Sequence, residues 1–133
     1  MNKKRTILII DDHQSIRMIL GNILVKDYNI VTKKDGIDAF AWLQQGNIPD
    51  LILLDMIMPR LHGISFLSNL RSSGLFSDIP VVVLSGNESK EFISKTNEIG
   101  INGYITKPFK PEDLRLTIAD AMLNFKPDSK IRT

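Results

Sequence analysis

The strongest constraint in this chain is an alternation of short charge-free apolar runs with longer stretches of helical spacing. Runs of this kind cover residues 7–10 (Ile7, Leu8, Ile9, Ile10), 51–54 (Leu51, Ile52, Leu53, Leu54) and 80–84 (Pro80, Val81, Val82, Val83, Leu84). They are apolar at odd and even positions alike, as in strands of a parallel sheet covered on both faces. Two weaker runs cover 28–32 and 104–106. Between them, Ile16, Ile19, Leu20, Ile23 and Leu24 follow i, i+3, i+4, i+7, i+8, the stripe of an amphipathic helix. Ile37, Phe40 and Ala41 open a second helix that should end near Gly46, and Phe66, Leu67 and Leu70 mark a third closed by Gly74. A fourth, poorly apolar helix is placed at 88–98, with Phe92, Ile93 and Ile99 as its apolar residues, because parallel strands need a crossover. Leu114, Ile118, Ala121, Met122 and Phe125 mark the last. Pro111 suits its first turn, and Glu112 and Asp113 suit the positive end of its dipole.

The pattern predicts an α/β fold, a single doubly wound (βα)5 domain with a parallel five-stranded sheet in order 2-1-3-4-5. Run 28–32, with polar residues mixed in, is the expected edge strand. A chain of 133 residues suits one domain, read here as 1–125 with a polar tail at 126–133. Its 43% hydrophobic and 24% charged content is that of ordinary globular proteins. A formal net charge of +2 is too small to argue for nucleic acid or an anionic membrane. No segment approaches the about 20 apolar residues of a membrane span. No cysteine is present, which excludes disulfides and thiolate chemistry and fits a cytoplasmic protein.

In an open parallel sheet, ligands gather at the carboxyl ends of the strands, near the switch in strand order. Strand 1 runs into Asp11 and Asp12, strand 3 into Asp55, strand 4 into Ser85, and strand 5 into Thr106, Lys107 and Pro108. Three neighbouring carboxylates need a counter-charge, and oxygen-only ligands with room for water suit Mg²⁺. Lys107 adds a cation and Ser85 a hydroxyl, which completes the requirements of phosphoryl transfer. Each residue alone has a plainer reading: Asp11 and Asp12 as helix caps, Asp55 and Ser85 as turn residues, Lys107 as surface charge. Their shared edge argues against that set of coincidences.

These residues and their neighbours resemble the response-regulator receiver domain of two-component (phosphorelay) signalling, a flavodoxin-like fold, over about residues 5–124. The matching stretches are 7–12 with Arg17, 50–59 followed by Gly63, 79–86, and 100–109. The resemblance implies that Asp55 is the phosphoacceptor and that Asp12, Asp55 and the main-chain carbonyl of Met56 bind Mg²⁺, with Asp11 acting directly or through water. It implies that Ser85 meets the phosphoryl group, that Lys107 holds one of its oxygens, and that Tyr104 is a switch aromatic paired with Ser85. It also implies a cis bond between Lys107 and Pro108, which would aim the lysine inward. The expected donor is a sensor histidine kinase or a histidine phosphotransfer protein. The expected output is a protein target or a homodimer, met through the fourth helix, strand 5 and the last helix near Phe92, Tyr104 and Lys110. On this reading the protein is a signalling phosphoacceptor that assists its own phosphorylation and slow dephosphorylation, with no direct nucleic acid binding and no membrane contact.

Departures from the pattern refine the expectation. His62 stands before Gly63 where the family often has Asp, a loop variation. His13 is read as a helix-entry residue and not a metal ligand, since hard oxygen donors are already present. The last helix lacks an arginine-rich ending, which favours a free-standing receiver or one from an architecture without a winged-helix partner. Ile57 and Asn87 occupy the variable positions two residues after Asp55 and Ser85. An apolar Ile57 should not orient an attacking water, so dephosphorylation is expected to be slow and Ile57→Asn to speed it several-fold. Unchanged decay of the phosphorylated form in that variant would refute the role given to Ile57. The same residue argues against a Mg²⁺-dependent phosphatase, which would want an aspartate there. A flavodoxin-like nucleotide binder lacks its Gly-rich loop after strand 1, and a contact-only pseudo-receiver would not need the full polar set.

Overall fold

The computed structural model describes residues 4–56, 62–86 and 90–123, the side chains at 62 and 90–92 excepted. Five strands, β1 (Thr6–Ile10), β2 (Asn29–Lys33), β3 (Leu51–Asp55), β4 (Val81–Ser85) and β5 (Gly103–Thr106), pair in parallel in the order β2-β1-β3-β4-β5. Five helices separate and follow them: α1 (Gln14–Leu24), α2 (Gly36–Gln44), α3 (His62–Ser72), α4 (Lys90–Ile99) and α5 (Pro111–Leu123). This is the expected doubly wound fold.

The two-sided burial of the central strands comes directly from their composition. β3 and β4 are buried at every position, and β1 at all but the first. Alternate residues feed two separate cores. Leu8, Ile10, Ile52, Leu54, Val81 and Val83 pack with Ala39, Leu43, Phe66, Leu67 and Leu70 from α2 and α3. Ile7, Ile9, Leu51, Leu53, Val82 and Leu84 pack with Leu20, Leu24, Leu114, Ile118 and Ala121 from α1 and α5. β2 is the expected edge strand, with no fully buried position.

Helix faces depart from the simple stripes. Ile37 is 74% exposed and Ala41 is exposed as well; α2 buries Gly36, Ala39 and Leu43 instead. The rotation follows from how α2 starts: the carboxylate of Asp35 accepts from the Asp38 amide at 2.8 Å and caps the helix. The ring of Phe66 then lies against Gly36, where a Cβ would come within 3.2 Å of it. Ile19 on α1 is also half exposed, leaving Leu20 and Leu24 as that helix's buried anchors. Among the described side chains of α4 the buried one is polar: Thr96 is 1% exposed, and its hydroxyl donates to the Ile93 carbonyl at 2.7 Å. β2 and β4 each begin one residue later than the sequence suggests; α4 is described from Lys90, and residues 88 and 89 of its expected start lie outside the described residues. Phe125 and the tail at 126–133 lie outside the described residues.

An arginine that the sequence does not single out ties the α3 side of the sheet together. Arg71, in the last turn of α3, donates from Nε to the Gly100 carbonyl at 3.0 Å and from Nη1 to the carbonyls of Ser77 and Ile79 at 2.9 and 2.7 Å. Its Nη2 reaches Asn102 Oδ1 at 3.2 Å. Burial pushes the guanidinium below its ordinary value, opposed by the charge of Asp78.

Candidate functional site

Register brings the polar strand ends together. Ile10 pairs with Leu54, so the next residues in line are Asp11 and Asp55. Asp55 pairs with Leu84, and Ser85 pairs with Thr106, just before Lys107. Met56 N donates to the Leu84 carbonyl at 3.0 Å, and Lys107 N donates to the Ser85 carbonyl at 2.6 Å, so the loop residues after β3 and β5 are both tied to the end of β4.

Asp11 and Asp55 are fully buried. Lys107 Nζ donates to Asp55 Oδ2 at 3.1 Å, forming an ion pair across two strands. Asp12 and His13 lie on the accessible side, their side chains 28% and 61% exposed. One ligand atom from each of Asp11, Asp12, His13 and Asp55 falls within 4.8 Å of the others. The buried Asp11 Oδ2 and Ser85 Oγ have no hydrogen-bond partner among the described residues. Arg17 Nη1 donates to the Asp11 carbonyl at 2.6 Å and anchors the turn after β1. Met56 is buried, and Gly63 lies so close that an added Cβ would be 3.1 Å from the Met56 Cα, so a larger residue there would have to push the Met56 backbone aside.

Burial, then the facing carboxylate of Asp55, pushes Asp11 from 3.8 up to about 6, against the lowering effect of the His13 amide and of Lys107. Between those values the folded protein keeps a proton that the unfolded chain has lost. This group's contribution to stability is therefore full at low pH and is lost as pH rises through about 6. The cation-free Asp11→Asn variant should accordingly be more stable than wild type at neutral pH, with the gap narrowing as pH falls towards 3.8. Urea midpoints in chelator across that range measure it; equal midpoints at neutral pH would show that Asp11 carries no such burden. The donor set fits a hard divalent cation: three carboxylates close together, one of them with a buried unpartnered oxygen, beside a main-chain carbonyl.

All the predicted acidic residues, Ser85 and Lys107 thus arrive at one edge. The Lys107–Pro108 bond is cis. Tyr104 sits half-buried in β5 opposite Val83, on the same sheet face as Ser85. Ile57, Asn87 and the side chains of His62 and Phe92 lie outside the described residues. His13 enters α1 as expected but also faces the carboxylates, with Nδ1 3.1 Å from Asp12 Oδ1. The sequence hinted at this only through its place directly after the acidic pair. A groove of about 450 Å³ lies at the opposite end of the sheet, lined by Arg5, Ile48, Asp50, Leu75, Asp78 and Met122 among others, with none of the residues just described.

The family model for the response regulator receiver domain matches residues 7–119. The chain belongs to that family. It is 34% identical to the chemotaxis protein CheY-3 of Vibrio cholerae, over 86% of this chain and 89% of that protein. It is 38% identical to histidine kinase P4 of Formosa agariphila over 92% of this chain, but spans only 9% of that protein's length. Among solved structures, the chemotaxis response regulator CheY4 of Vibrio cholerae superposes with a TM-score of 0.81 at 30% identity, covering 90% of this chain and 99% of that one. The receiver is thus a signalling module of two-component systems, of the kind found in CheY-like regulators and in histidine kinases. Among its described residues no helix is long and apolar enough to cross a membrane.

Proposed function

We propose that this receiver is a phosphoacceptor switch in which Asp55 takes a phosphoryl group from a phosphohistidine donor, on a sensor histidine kinase or a histidine phosphotransfer protein. The observation that carries this reading is the Lys107–Asp55 contact of 3.1 Å inside the cluster of Asp11, Asp12 and Asp55. In the transfer a carboxylate oxygen of Asp55 bonds to phosphorus as the donor's N–P bond breaks, and the imidazole leaves with the electron pair. Asp11, Asp12, Asp55 and the Met56 carbonyl would hold Mg²⁺, which would supply positive charge to the phosphoryl oxygens. Lys107 lies where its ammonium can hold one of those oxygens, and the unpartnered hydroxyl of Ser85 can donate to another.

The product is a switch state, not a released compound. Ser85 drawn to the phosphoryl group would vacate space on the sheet face it shares with Tyr104, whose half-buried ring can turn inward. The surface built by α4, β5 and α5 would then present a changed face to a protein target or a second copy, in the cytoplasm. Incubation with Mg²⁺ and acetyl phosphate, followed by intact mass, tests the reading. A stoichiometric phosphoryl adduct is expected; no adduct with any small donor or phosphorylated kinase would favour a receiver that works by contact alone.

A further inference from the structure

A helix N-cap side chain ordinarily bonds the first free amides of its helix. His13 holds the N-cap position of α1, with φ −96° and ψ 116°, yet its ring makes no capping bond. Its main-chain amide donates to Asp11 Oδ1 at 2.8 Å, which fixes the residue beside the acidic cluster. From there Nδ1 points to the carboxylates, 3.1 Å from Asp12 Oδ1 and 3.5 Å from Asp11 Oδ1. The four residues Asp11, Asp12, His13 and Asp55 present ligand atoms within 4.8 Å of one another. Independently of their charge, Asp11 Oδ2 and Ser85 Oγ, on fully buried residues at this edge, have no hydrogen-bond partner among the described residues. Buried polar atoms left unmatched are costly, and their presence points to a site completed by a polar ligand.

We infer that His13 gives an imidazole nitrogen to the cation site and so shifts its preference from Mg²⁺ towards Mn²⁺ and later first-row divalent ions. The inference rests on the cation-dependent phosphoacceptor reading above and adds the identity of the metal. Mg²⁺ is hard and keeps to oxygen and water, whereas imidazole binds first-row transition ions more strongly. Oxygen donors discriminate in this direction only by size and geometry; a ring nitrogen beside Asp12 adds a donor that favours the transition ion. On this inference His13 has a second role beside that of the helix-entry residue.

The full chain is titrated with Mn²⁺ and with Mg²⁺ by calorimetry in mildly alkaline buffer, and bound Mn²⁺ is examined by electron spin echo spectroscopy for coupled nitrogen. Wild type should show directly bound nitrogen, and His13→Gln should lose it. The Mn²⁺-over-Mg²⁺ preference should fall about tenfold in the variant, mainly through weaker Mn²⁺ binding. The exposure of the ring means that the substitution leaves the core intact, which the unfolding midpoint in chelator confirms. No nitrogen coupling in wild type, or the same preference in both proteins, would show that His13 only pairs with the aspartates. If both ions bind and the phosphoryl adduct forms while these signs are missing, the inference alone fails. If neither ion binds, the cation-dependent reading of the site fails with it.

Discussion

Asp55→Asn is expected to lose the phosphoryl adduct entirely, under conditions where wild type is modified stoichiometrically. The amide matches the carboxylate in shape and can still accept from Lys107, so β3 and the pairing around it should keep their structure. What disappears is the nucleophile, because an amide oxygen does not displace the donor from phosphorus under these conditions. The variant also removes one of three carboxylates from the cation cluster, so Mg²⁺ affinity should fall alongside. Intact mass after acetyl phosphate treatment reads the first effect and calorimetry the second. An adduct that survives the substitution would move the acceptor elsewhere, with Asp12 the next carboxylate to test, since Asp11 is buried and Asp12 partly exposed.

Arg71→Met is expected to cost about 2–4 kcal/mol of stability, a large share of what a domain of this size has. The substitution keeps much of the apolar stem and deletes four hydrogen bonds that join α3 to the segments before β4 and β5. Asn102 depends on the same contact: its Oδ1 also accepts from Val81 N at 2.9 Å, at the start of β4. Arg71→Lys should recover only part of the loss, because one ammonium cannot span acceptors that a planar guanidinium meets from several nitrogens. Urea unfolding measures the cost, and amide exchange should show lost protection at the end of α4. A change below about 0.5 kcal/mol in the methionine variant would mean the contacts are ordinary surface bonds.

The sheet and its order were legible because the apolar runs at 7–10, 51–54 and 80–84 leave few alternatives to strands covered on both faces. The acidic edge was legible for the same reason: once the strands are placed, their ends are placed. Helix rotation was not. Ile37 looks like an anchor from spacing, but the Asp35 cap and the fit of Gly36 to Phe66 set α2 differently, and both depend on partners distant in sequence or on cap geometry. Arg71 reads as surface charge at a helix end, since its acceptors lie six to 31 residues away. His13 is intermediate: its position was visible, while the direction of its ring depends on the turn that Asp11 closes.

The Arg71 contact also fixes the mechanics of α4. Arg71 holds the Gly100 carbonyl, Gly100 N donates to Thr96, and Thr96 is buried, so the carboxyl end of the helix is fastened. Its ten residues span about 15 Å. The helix is therefore a lever with its pivot at the carboxyl end, and its other end, at Lys90, follows Ser85 and Gly86 in the chain. A tilt of about 4° around the pivot moves the arm's tip by about 1 Å, the scale on which a hydroxyl changes partners. On the phosphoacceptor reading proposed above, a chemical event at the sheet edge would be converted into an angle, and a partner reading this surface would respond to the pitch of α4 more than to any shift of its centre.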